Sequence, residues 1–84
     1  MEATLNSEQS EIFQKISEII SNFFKKEEKE IKIDSKIEDI VCGSLEIVEL
    51  FFFIERTFRI NIPEEKINEF SSIREIVQFV EPSN

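Results

Sequence analysis

The sequence predicts an all-α fold: a small four-helix bundle, three helices longer and one short, with a long loop between the first and second. Three observations predict it. The 84 residues include one glycine and two prolines, so little interrupts a helix, while Ile, Glu and Lys are abundant. Apolar residues recur at helical spacing in three stretches. The one short alternating run, around Ile31 and Ile33, has no second run to pair with as a strand.

The first helix, from Glu8 to Lys26, carries Ile12, Phe13, Ile16, Ile19, Ile20, Phe23 and Phe24 on one stripe. Asn6 or Ser7 caps its start, and Lys25, Lys26 and Lys29 suit the negative end of its dipole. From residue 27 to 43 the period is lost. Ile31 and Ile33 flank Lys32, Asp34-Ser35-Lys36 reads as a turn, and Ile37, Ile40 and Val41 follow, so this is an ordered loop pinned by its isoleucines. The second helix runs from Ser44 to Phe58. Ile60-Asn61-Ile62 is extended ahead of Pro63, which suits the first position of a short helix reaching Phe70. Ser72 with Glu75 forms a capping box for the last helix, whose stripe is Ile73, Ile76, Val77 and Val80 and which Pro82 closes.

Residues 1–84 are expected to form a single small domain, without room for a deep catalytic pocket. Eighteen acidic against ten basic residues give a net charge of −8, which opposes nucleic acid and anionic membranes and favours partners with basic patches; it also serves plain solubility. The lone Cys42 has no intramolecular disulfide partner, and no apolar run near Met1 reads as a signal or a membrane span. A monomer in the cytoplasm is expected. No histidine is present to activate Ser44 or Cys42, so no catalytic residue is assigned. Asp34, Glu38 and Asp39 lack the glycine turn and terminal bidentate Glu of a calcium loop, so no metal site is assigned.

The second helix holds more apolar surface than one core needs. Ile47, Leu50, Phe51, Ile54 and Phe58 form the inward stripe, yet Leu45, Val48, Phe52 and Phe53 remain, beside Glu49 and Arg56. Either the loop or a second copy covers them, or they meet a partner; Phe52 is the better candidate for contact, because Phe53 can tuck toward a neighbouring helix. Ser44 is a favoured residue for an N-cap. The same position suits a phosphate, since the helix start is positive and offers free N–H donors.

The run Glu38-Asp39-Ile40-Val41-Cys42-Gly43-Ser44-Leu45-Glu46-Ile47-Val48-Glu49-Leu50, followed by Phe58 and by Ile60-Asn61-Ile62-Pro63-Glu64-Glu65, resembles the acyl carrier protein family in order and interval. The resemblance extends from the first helix to Val80. It implies that a phosphopantetheinyl transferase, using coenzyme A and magnesium, attaches a 4′-phosphopantetheine arm to Ser44. The thiol of that arm then holds acyl groups as thioesters for visiting enzymes of fatty acid, polyketide or specialised lipid biosynthesis: acyltransferases, synthases and acyl carrier ligases with basic docking patches. The resemblance further implies that Leu45, Glu46, Val48, Glu49, Phe52 and Glu55 are the docking set. It places Ile47, Leu50, Phe51, Ile54, Ile62, Ile67, Phe70 and Ile76 along the cleft that shelters the acyl chain.

Two features depart from the family pattern. Gly43 stands where the family usually has Asp before the serine, and Arg56 and Arg59 stand where the common fatty-acid carriers tend to be acidic. They point to a divergent carrier with its own partners. The alternative is a carrier-fold interaction module without the prosthetic group, in which Ser44 serves only as a helix cap.

Overall fold

The first helix, α1, spans Ser7–Phe24 in this computed structural model, which describes residues 6–41 and 43–81. Its start is fixed by a capping box: the Gln9 N–H donates to Asn6 Oδ1 at 2.8 Å, and the Asn6 N–H donates to Gln9 Oε1 at 3.2 Å. It ends at Lys25, whose backbone is left-handed (φ 61°). Ile12, Ile16, Ile19 and Ile20 are buried as the stripe predicts. The stripe runs out of core at its last turn, where Phe23 stays 56% exposed.

The segment after α1 is more ordered than the expected loop. Residues Glu28–Glu30 form a 3-10 turn, and Ile37–Ile40 form a one-turn helix, α2. The reason is burial: Ile37 and Ile40, three residues apart, face the core together only if the chain turns helically between them. Ile31 and Val41 are buried as well, and Ile33 is half-buried. The same segment is tied to the distant chain end. The Ile37 N–H donates to the Ser71 carbonyl and the Ile73 N–H to the Ser35 carbonyl, each at 3.0 Å, around an isolated antiparallel bridge between Lys36 and Ser72.

Helix α3 spans Gly43–Phe58, α4 Glu64–Glu69 and α5 Ile73–Val80. Among the described residues there is no strand, and the all-α expectation holds, with α2 added to the four expected helices. Arg59 ends α3 in a left-handed conformation (φ 58°), and the Ile60 N–H reaches back to the Glu55 carbonyl at 3.1 Å. Pro63 sits one residue earlier than expected, at the N-cap of α4, and Phe70 is the extended residue that ends it. The capping box expected at Ser72 does not form. Ser72 is the N-cap, with an extended backbone opposite Lys36 in the bridge, but its side chain makes no cap bond. The Glu75 carboxylate reaches one residue further back and accepts from the Ser71 N–H at 2.6 Å.

The core lies where three helices converge, with Ile16 and Ile20 of α1, Leu50, Phe51 and Ile54 of α3, and Ile73, Ile76 and Val77 of α5 fully buried. Burying side chains of this size stabilises by roughly 1.5–3 kcal/mol each. Expectations placed on Cys42, Pro82 and the residues around Met1 lie outside the described residues. No helix among the described residues is long and apolar enough to cross a membrane.

Candidate functional site

Ser44 lies in the first turn of α3, one residue inside the helix start, and is exposed. It is therefore not the N-cap residue that its type suggests. Among the described residues its hydroxyl makes no side-chain hydrogen bond, so the oxygen is uncommitted and open to solvent. Gly43 before it has a left-handed backbone (φ 82°), and a Cβ placed there would meet no atom within 4 Å. The positive end of a 16-residue helix favours negative charge at this point. A phosphodiester on the Ser44 oxygen therefore fits the residues present.

From Ser44 the helix presents two different flanks. On one, Leu45 is 73%, Val48 57% and Phe52 51% exposed, with Glu49 exposed beside them. Phe53 is half-buried because its ring stacks on Phe23 of α1, with centroids 4.1 Å apart and planes 13° from parallel. The choice of Phe52 over Phe53 as the outward ring thus matches the structure. Phe52 meets Phe53 edge-on at 6.1 Å, and the Arg56 guanidinium lies 5.5 Å from its centroid. Phe23, Phe24, Val48, Glu49, Phe52 and Phe53 surround a groove of about 440 Å³. The contribution of Phe23 was missed because helical periodicity assigns every member of a stripe to the core.

Glu46 and Glu55 of the expected docking set are half-buried. Glu55 has a second task, since its carboxylate accepts from the Ile62 N–H at 2.7 Å and so fixes the turn after α3. On the other flank lies a cavity of about 220 Å³ between α2, α3 and α4. Of the eight residues expected along a cleft, Ile47, Phe51, Ile67 and Phe70 line it. Leu50, Ile54, Ile62 and Ile76 are buried in the core and are not part of that lining. Ile37, Glu38, Asn68 and Ser71 complete the wall. The sequence reading assigned none of these four to the cleft.

The phosphopantetheine attachment site family matches residues 14–80, a span that contains Ser44, both flanks of α3 and the cavity. The chain belongs to the acyl carrier protein family. Among its relatives, the acyl carrier protein of Borrelia garinii subsp. bavariensis is 44% identical over 71 residues, covering 83% of this chain and 89% of the relative. That of Campylobacter hominis is 33% identical over 75 residues, covering 88% and 95%. That of Clostridium acetobutylicum is 34% identical over 70 residues, covering 82% and 91%. The protein is a carrier and not a catalyst, and its cofactor is covalently attached 4′-phosphopantetheine. Family membership also implies interaction with synthases and transferases. The reading as an interaction module without the arm is not favoured by these relatives.

Proposed function

We propose that Ser44 carries the phosphopantetheine arm and that the exposed flank of α3 docks the enzymes the arm visits. In the loading step, the Ser44 oxygen attacks the pantetheine-bearing phosphorus of coenzyme A. A Ser44 Oγ–phosphorus bond forms, the diphosphate bond breaks, and adenosine bisphosphate leaves. The serine proton passes to a base on the transferase, because this carrier has no histidine to take it. When bound, the arm supplies a thiol that holds acyl groups as thioesters. The observation that carries this reading is the exposed, uncommitted Ser44 hydroxyl at the head of α3, inside the matched family span.

Leu45, Val48 and Phe52 offer apolar contact, and Glu46, Glu49 and Glu55 offer carboxylates for basic patches on a phosphopantetheinyl transferase, acyltransferases, synthases or acyl carrier ligases. Ile47, Phe51, Ile67 and Phe70 shelter the acyl chain in the cavity between α2, α3 and α4. The carrier acts as a single domain and a monomer in the cytoplasm, away from membranes and nucleic acid, in keeping with its net charge of −8. Intact-mass measurement after incubation with coenzyme A, magnesium and a broad-specificity transferase tests the reading. The wild type gains one phosphopantetheine and Ser44→Ala gains none; an unmodified wild type, or a modified Ser44→Ala, rejects it.

A further inference from the structure

We infer that the Phe70 ring sets the longest acyl chain this carrier shelters, selecting short and medium chains over long ones. The inference rests on the carrier reading above and deepens it. The cavity meets α3 at Ile47, about 4.5 Å of helix rise beyond Ser44, and again at Phe51, about 6 Å further along. There the Phe51 ring lies stacked on Phe70, with centroids 5.5 Å apart and planes 9° from parallel. Phe70 also borders a second depression of about 380 Å³, together with Lys66, Glu69, Glu75 and Phe79. Among the described residues Phe70 alone lines both spaces, which is the ground for taking its ring as the partition between them. Phe79 braces it edge-on, with centroids 5.6 Å apart and planes at 70°.

The two spaces differ in what they offer a hydrocarbon. On the near side a methylene packs against Ile47, Phe51 and Ile67 and leaves water. Beyond Phe70 it emerges beside the charged groups of Lys66, Glu69 and Glu75, gains little burial, and has already forced the ring off its stack. A cavity of about 220 Å³ is small beside a sixteen-carbon chain, whose methylenes need roughly 30 Å³ each.

The test loads the full chain with saturated acyl groups from two to sixteen carbons, transferred with their arm from acyl-coenzyme A. Intact mass confirms loading, and hydroxylamine cleavage of the thioester is followed together with the melting temperature. Protection from hydroxylamine is expected to grow about fourfold per methylene over the shorter chains and to go flat before sixteen carbons. Phe70→Ala, by removing the partition, moves the break to longer chains; Phe70→Leu moves it less and guards against loss of the fold, which circular dichroism checks. Protection that keeps growing through sixteen carbons in the wild type, or a break that stays in place in both variants, overturns the inference. A wild type that accepts the arm yet protects no chain overturns it and leaves the tether standing. A chain that accepts no arm overturns the carrier reading, and the inference with it.

Discussion

The backbone at Gly43 sits at φ 82°, where residues with a side chain are strained, and a Cβ there would touch nothing within 4 Å. Crowding is therefore not what keeps this position bare, and a substitution meets backbone energy alone. Gly43→Ala is expected to cost about 1–2 kcal/mol in urea unfolding, and Gly43→Asn less, because Asn tolerates left-handed angles. Equal and negligible losses in both would mean that the turn relaxes freely. The sequence made Gly43 conspicuous as the chain's one glycine, the residue type that reaches such angles without strain. Ser44 was legible as the oxygen proposed for attachment, yet its place inside the first turn was not, since serine is equally at home one residue earlier. For the adjacent rings Phe52 and Phe53, helical phase alone decided correctly which one turns outward.

Helix α3 both builds the core and presents the flank proposed for docking, and Glu55 belongs to each task. Its carboxylate holds the Ile62 N–H at 2.7 Å, which sets the extended approach to α4 and with it one wall of the cavity. Glu55→Ala is expected to destabilise by about 1–2 kcal/mol, the usual result of leaving a part-buried donor without its partner. Glu55→Gln keeps an acceptor while removing the charge, so it retains most of the stability and weakens only the attraction to basic partners. Thermal unfolding combined with transferase KM separates the two tasks, and an equal loss of stability in both variants would show that charge, not hydrogen bonding, fixes the turn. At this scale the stripes of α1, α3 and α5 were legible because periodicity is a local property. That residues 27–41 are ordered was legible from their isoleucines; the short helix Ile37–Ile40 was not, because the chain there is held by bonds from Ile37 to Ser71 and from Ser35 to Ile73, far apart in the chain. The capping box misread at Ser72 differs locally: the Glu75 carboxylate is bonded to the Ser71 N–H, one residue earlier than the motif implies.

Across the whole molecule, two polar clamps join distant parts of the chain. Asn6 and Gln9 at the start of α1 donate to the Glu81 carboxylate after α5, at 3.3 and 2.8 Å. Arg74 of α5 donates twice to Asp34, at 2.7 and 3.1 Å, holding the turn before α2 against the last helix. Hydrogen bonds from Arg74, and then its charge, hold the Asp34 carboxyl below its ordinary pKa. A carboxyl lowered in the folded state adds stability that is fully present above its unfolded pKa and is lost as pH falls through the folded one. Asp34→Asn should therefore melt below the wild type at neutral pH, and the gap should close as the solution is acidified below the usual carboxylate range. The pair is exposed, so the gap is small and should also shrink with added salt. Melting curves across pH and salt check this; a gap that persists in acid would assign the loss to something other than the ion pair. The clamp also bears on the proposed cargo: Ile37 and Glu38, just past Asp34, and Ser71, three residues before Arg74, line the cavity proposed for the acyl chain. Releasing the clamp in Asp34→Asn should accordingly loosen the cavity at the α2 side while leaving the Phe70 partition in place. The variant should then lower thioester protection at every chain length without moving the length at which protection stops growing.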